Sequence, residues 1–336
     1  MTLRDPGFAP RRLASVADLA PPGRPSWQYA QLAAEHGRTG VAPFIANPDL
    51  AVVDLQDGAA ASGYVKVRRW AVTPGDVVAP EPLFELALAE YLDRLAGRGL
   101  RAVFLAVRDP LPYTRRSFDV SEIADEAIID LPSFSLAGSR RANLRHSTTS
   151  ARRAGLTVQP YEPWQAPQLA EITEQWLRTK RGGELGFTLS RHHDLAAQLE
   201  DHSADVWVSV DGTGTVQAWC TWRHYLGGAG RVVDIMRRRI DAPNPAMDGL
   251  LATVLENYRD AGLTEASLAS VPRDHGALAD RIYPSRSLRA YKKKFDPRWE
   301  PRWLAVPAAW QRPLALAAIG AAYCPGGLRR AALRNH

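Results

Sequence analysis

Cysteine is scarce in this 336-residue chain: only Cys220 and Cys324 occur, far apart and without His or Cys neighbours at ligand spacing. That excludes a disulfide framework, leaves no zinc site or other metal centre to be expected, and fits a reducing cytoplasm. Long apolar runs are also missing. A helix needs roughly 20 apolar residues to cross a bilayer, and the best stretch, Leu314 to Tyr323, has about half that number. The start of the chain carries Asp5, Asp18, Pro21, Pro22 and Pro25 where a secretory signal needs an unbroken apolar segment, so residues 1–38 read as a flexible lead-in. Lysine is the third scarcity. Of 42 basic residues only Lys66, Lys180, Lys292, Lys293 and Lys294 are lysines, and three of these are consecutive.

The balance of 46% hydrophobic and 23% charged residues is that of a globular protein with a sizeable core. A formal charge of +6 favours a polyanionic partner, with tRNA or an anionic lipid surface expected rather than DNA. The tail, residues 308–336, is apolar from Trp310 to Tyr323 and then basic at Arg329, Arg330 and Arg334. Such a segment packs back on the body or makes a peripheral membrane contact, and packing is the expected reading.

Periodicity places strands at Ala51 to Leu55, Tyr64 to Val72, Arg101 to Val107 and near Glu126 to Leu131, with a helix carrying Leu83, Phe84, Leu86, Ala87, Tyr91 and Leu95 before Gly97 and Gly99. Ser135 to Gly155 has helical composition and five arginines. The pattern then restarts with a helix from Trp164 to Arg178, a hairpin from Val206 to Val210 and Val216 to Arg223, and a strand from Arg231 to Met236. A helix bearing Met247, Leu250, Leu251, Val254 and Tyr258 follows, expected to be capped by Asn244 with Pro245 at its first position, and a strand from Thr264 to Val271 closes the unit. Two similar α/β units, 39–157 and 158–307, are the economical reading.

The densest polar cluster is Val233 to Asn244, at a strand end running into a helix start, where open α/β sheets bind ligands and helix N–H groups collect anions. A CoA-dependent acetyltransferase needs glycines here so that backbone amides can approach a pyrophosphate. This chain has Asp241, Pro243, Asn244 and Pro245 instead, which argues for another donor. An alternative is purely structural, with Asp234 and Arg237 as an ion pair and Asp241 as a turn former. The second cluster is Leu288 to Trp303, where the lysine triplet beside Tyr291 and Phe295 fits contacts to a nucleic acid end or, alternatively, a solvated charge run.

The ordered runs Asp234-Ile235-Met236-Arg237-Arg238, Asp241-Ala242-Pro243-Asn244 and Met247-Asp248, with Leu288 to Lys292, Phe295-Asp296-Pro297 and Trp299-Glu300-Pro301-Arg302, resemble the catalytic domain of phosphatidylglycerol lysyltransferases and alanyltransferases. Phe134-Ser135-Leu136, Asn143-Leu144-Arg145, Trp176-Leu177 to Lys180 and Glu184 to Leu189 extend the likeness, which covers residues of about 40 to 307. The resemblance implies a tandem GNAT-like fold of mixed, mostly antiparallel sheets flanked by helices. It also implies aminoacyl-tRNA as co-substrate, no cofactor, and a tunnel between the units.

On that resemblance Asp234, Arg237, Lys292 and Lys294 are the catalytic candidates. Asp241, Asn244, Asp248, Arg289, Tyr291 and Glu300 are substrate-binding candidates, and Arg140, Arg141, Arg145 and Lys293 are tRNA- or phosphate-binding ones. His192 and His193 are set aside as surface residues. Without the multi-helix part that precedes the domain in membrane-resident relatives, the chain is expected to be a free-standing soluble, cytoplasmic member. Its expected acceptor is a small hydroxyl or hydroxylamine metabolite of specialised biosynthesis such as antibiotic production. Phosphatidylglycerol is the alternative acceptor, and CoA-dependent acetylation or tRNA binding without catalysis are further ones.

Overall fold

The computed structural model describes residues 26–179, 186–190, 204–273 and 285–323. Lys180, Glu184, Leu185, His192, His193, Cys324 and the arginines of the tail lie outside the described residues.

The chain begins with α1 (Ser26–His36), β1 (Ala51–Leu55), β2 (Ala60–Val67), β3 (Trp70–Pro74), α2 (Phe84–Gly97), β4 (Arg101–Val107), the single turn α3 (Leu111–Thr114) and β5 (Asp119–Asp130). It continues with α4 (Ala142–Arg153), β6 (Thr157–Pro160), α5 (Ala166–Thr179), β7 (Ala204–Val210), β8 (Val216–Tyr225), β9 (Gly230–Arg238), α6 (Ala246–Asp260), β10 (Glu265–Pro272), α7 (Ser285–Lys293), β11 (Arg298–Val306) and α8 (Arg312–Tyr323). Local chemistry explains the boundaries. In α2 the buried Ala87, Leu88, Tyr91 and Leu95 recur at helical spacing. The helix closes with Leu100 N–H on Leu95 O and Gly99 N–H on Ala96 O, a turn that needs the left-handed φ of +66° Gly99 adopts.

All strands join one sheet in the order β1-β2-β3-β4-β11-β5-β10-β9-β8-β7-β6. Every neighbouring pair is antiparallel except β3 with β4 and β9 with β10, each joined through a helix, α2 or α6. Three strands, a helix and a parallel strand therefore occur twice, the tandem GNAT-like arrangement. The last strand of each series is exchanged, with β11 inserted between β4 and β5 and β5 paired with β10. Apolar side chains fill both sides of the sheet. Helix α2 covers one face of the first unit and α8 the other, while α4 and α6 cover the second unit.

Three local expectations change. The run Tyr64 to Val72 is a hairpin, turning at Arg68 (φ +55°) so that Val67 pairs with Trp70; no Gly, Asn or Pro marks this turn. Residues read as lead-in include α1, which buries Tyr29, Ala30 and Ala33. Asn244 does not cap α6: the chain already has helical dihedrals at Pro245, and exposed Asn244 sits in the turn closed by Ala246 N–H on Pro243 O.

Candidate active site

The parallel pair β9–β10 holds together only from Glu265–Ser267 against Gly230–Val232. Beyond it β10 shifts register against β5 and Ala269 takes a φ of +64°, a left-handed conformation that is unfavourable for a side chain with a Cβ. The carbonyls of Ala269 and Ser270 accept hydrogen bonds from Lys292 Nζ at 3.0 and 3.2 Å. Lys292 projects from α7 and is buried. Burial lowers its pKa to about 7, against the opposing pull of the Glu126 carboxylate. A lysine that is half neutral at physiological pH is able to take or give a proton.

Glu126 is fully buried on β5. Its Oε1 accepts from Gly40 N–H at 3.0 Å and Ser267 Oγ at 2.5 Å, and its Oε2 from Arg302 Nε at 2.6 Å. Arg302 in turn reaches Glu300 at 3.0 Å, so the exchanged strand β11 is pinned to β5 and β10 by one charge network. Next to it, Arg289 binds Asp125 and lies over the Trp299 ring at 4.3 Å, while Arg273 holds the same carboxylate.

At the start of α6, Asp248 accepts from Lys294 Nζ at 3.0 Å and Ser147 Oγ at 3.2 Å. Lys294 stands 4.8 Å over the ring of Tyr291, whose hydroxyl is pushed well above its ordinary pKa by burial and then by Asp248. Pro243 and Pro245 remove two N–H donors from the approach to this helix. The structure thus brings Lys294, Tyr291 and Asp248 together beside the start of α6, while Lys292 points instead to β10.

Asp234 is placed differently. Its side chain is 1% exposed and accepts from Arg223 Nε at 2.8 Å, from Ser190 N–H at 3.2 Å and from Ser190 Oγ at 2.5 Å. Its ion-pair partner is therefore Arg223 of β8 and not Arg237, which lies buried 4.3 Å over the Trp176 ring of α5. Asp241 is exposed and bound to Arg239, which also grips Glu171. Ser190 belongs to the segment 186–190, which is fastened by Asn47 Nδ2 to the Phe187 and Leu189 carbonyls and by Asp49 to Phe187 N–H.

The basic surface also divides. Arg141 donates to the carbonyls of Ser135 and Phe295, and Arg145 to those of Leu136 and Gly138, so both hold a loop. Arg140 is 83% exposed, with Asp296 no closer than 3.7 Å, and Lys293 is exposed on α7. Arg152 and Arg153 continue the exposed basic face of α4, a helix with no acidic residue.

A cavity of about 570 Å³ opens in the first unit, beyond the carboxyl ends of β3 and β4. Arg38, Asp76, Glu81, Phe84 and Arg108 are among its lining. Asp76 accepts from Arg108 N–H at 2.9 Å and Tyr113 Oη at 2.7 Å, and burial still raises its pKa.

Sequence reasoning missed Arg223, Ser190, Glu126, Asp125 and this cavity. Arg302 leaves one signal in the sequence: it adjoins the apolar run Trp303 to Val306, and an arginine buried beside such a run must be paired.

A family model described as phosphatidylglycerol lysyltransferase, C-terminal, matches residues 29–306. Phosphatidylglycerol lysyltransferase of Bacillus subtilis is 26% identical over 272 residues, which cover 74% of this chain and 31% of that protein. The corresponding protein of Staphylococcus xylosus is 26% identical over 256 residues, covering 68% and 29%. The chain thus spans about a third of the length of these curated relatives.

Among solved structures, a C-terminal domain assigned to a candidate lysylphosphatidylglycerol synthetase of Agrobacterium fabrum superposes with a TM-score of 0.77 at 25% identity, covering 90% of this chain and 98% of that one. L-PGS of Bacillus licheniformis gives 0.74 at 23%, covering 87% and 94%. FemX gives 0.58 at 10%, covering 86% and 98%, and shares the fold. With four-fifths of its length inside one family model and the same sheet in its solved relatives, the chain belongs to the family of C-terminal domains of phosphatidylglycerol lysyltransferases.

Proposed function

We propose that this chain transfers an aminoacyl group from aminoacyl-tRNA to an acceptor hydroxyl. The observation that carries the reading is Lys292: a buried amine with a pKa of about 7, held on the carbonyls of Ala269 and Ser270 at the break of β10. In the reaction the acceptor oxygen attacks the ester carbonyl, the bond from carbonyl carbon to ribose oxygen breaks, and the acceptor's proton ends on the ribose hydroxyl. Neutral Lys292 serves as the proton carrier, and Lys294 stabilises the charge that develops on the carbonyl oxygen. Asp234, locked by Arg223 and Ser190, fastens the segment 186–190 to β8 and β9, with Arg237 and Arg289 as supports. Arg140 and Lys293 meet tRNA phosphates. No cofactor takes part.

For the acceptor, the names of the relatives favour phosphatidylglycerol over a small metabolite of specialised biosynthesis. The cavity of the first unit, walled by both Arg38 and Arg108 and by carboxylates, is the place for its headgroup. The test is incubation with total tRNA charged with each radiolabelled amino acid. Label is followed into lipid extract and into a panel of small hydroxyl and hydroxylamine acceptors. Label in phosphatidylglycerol is expected; label only in a small acceptor restores the metabolite reading, and no consumption of any aminoacyl-tRNA refutes the function.

A further inference from the structure

Helix α8 is apolar on every side. From Pro313 to Tyr323 it has no charged side chain, and Tyr323 supplies its one polar group. Ala315, Ala318, Ile319 and Ala322 are buried against Trp70, Val72, Val103 and Leu304. The other side faces outward: Leu314 is 56% exposed, Leu316 42%, and Trp310, in the turn just before the helix, 71%. A helix without a polar face belongs in apolar surroundings on all sides, so the outward side requires a second apolar partner. Its 12 residues extend about 18 Å, too short to cross a bilayer but suited to lying in its surface plane with Trp310 at the headgroup level.

Charge selects the partner. After Glu300 the sequence has no Asp or Glu, and Arg329, Arg330 and Arg334 follow the helix. A second copy of the chain would bring two such basic tails together, whereas an anionic lipid surface neutralises them. We infer that the outward side of α8 docks on an anionic bilayer, with the helix lying in the membrane plane.

Docking there bears on the candidate site. Tyr323, at the end of α8, accepts Gly186 N–H on its carbonyl at 3.1 Å, shares a 2.8 Å hydrogen bond with Thr188 Oγ1, and meets the Phe187 ring edge-on at 5.1 Å. Those residues lead directly to Ser190 and its hydrogen bonds to Asp234. The helix that touches lipid thus fastens the segment that holds Asp234.

The test is co-sedimentation of the full chain with phosphatidylcholine vesicles, with and without phosphatidylglycerol, and no tRNA. This keeps docking separate from transfer. Binding is expected only to the vesicles containing phosphatidylglycerol. The triple variant Trp310→Ser, Leu314→Ser, Leu316→Ser should bind about tenfold more weakly or worse, with its thermal midpoint and tRNA affinity unchanged. A single variant, Leu316→Ser, serves if the triple one does not fold. Wild-type protein that ignores phosphatidylglycerol vesicles, or variants that bind them as wild type does, would overturn the inference. So would a lipid-free dimer that the variants dissolve.

Discussion

The two units repeat the same order of elements, and each carries an alanine with left-handed φ in its parallel strand, Ala106 in β4 and Ala269 in β10. What surrounds the two irregularities differs. At Ala269 the loosened carbonyls are met by a buried lysine, and the neighbouring Ser267 is tied to the Glu126–Arg302 pair. Near Ala106 the strand end is closed by main chain, with Gly75 N–H on Leu105 O, and the nearby acid Asp76 is held by an amide and a phenol and, among the described residues, by no ion pair. A repeated backbone thus supplies two irregular parallel strands, and the second is met by a buried amine where the first is closed by main chain.

The largest expected effect is on the strand exchange. Removing one partner of a fully buried ion pair leaves the other charge without compensation, so Arg302→Ala should cost about 3–5 kcal/mol in denaturant unfolding. Asp76→Asn, in the first unit, replaces a carboxylate that burial already pushes toward its neutral form, and should cost only about 1 kcal/mol. Equal losses would show that the two units do not differ in buried charge as described.

Lys292 gives the next largest effect. Lys292→Met should lower kcat by about a hundredfold or more, the range for loss of a general acid–base group. The wild-type rate should rise through about pH 7 as the amine loses its proton, and Lys292→Arg, which stays charged, should lack that limb. Stability carries the same signature. The folded lysine titrates near 7 and the unfolded one near 10.5, so between these values the unfolded chain holds more protons and stability increases with pH. A rate limb near 7 that survives in Lys292→Arg would move the base elsewhere.

The same contrast between backbone and charge explains what the sequence made legible. Helical and strand periodicity located α2, α6, β4, β7, β8 and β10 because their apolar positions follow the period of the element. The β2–β3 hairpin escaped because its turn is Arg68-Arg69, without turn residues, and β11 escaped because Pro301 and the charged Arg298, Glu300 and Arg302 conceal a strand whose arginines are paired across the sheet. Motif resemblance pointed to Lys294, Tyr291 and Asp248, which lie against one another, and to Lys292, whose amine reaches the carbonyls of β10. It did not find Arg223 or Ser190, since a partner on another strand or segment leaves no local spacing to read.

The smallest expected effect separates the basic residues around the start of α4 by what they touch. Arg145 bonds two carbonyls of its own preceding loop, so Arg145→Gln should lower the thermal midpoint along with any loss of tRNA affinity. Arg140 and Lys293 hold no such structure, and Arg140→Gln with Lys293→Gln should leave the midpoint where it is. If each contacts one phosphate, the logarithmic salt dependence of aminoacyl-tRNA binding should flatten by about 0.7–0.9 for each residue removed. A slope unchanged in the double variant would place the nucleic acid on a surface other than that of Arg140 and Lys293, with Lys292 still testable by its pH limb.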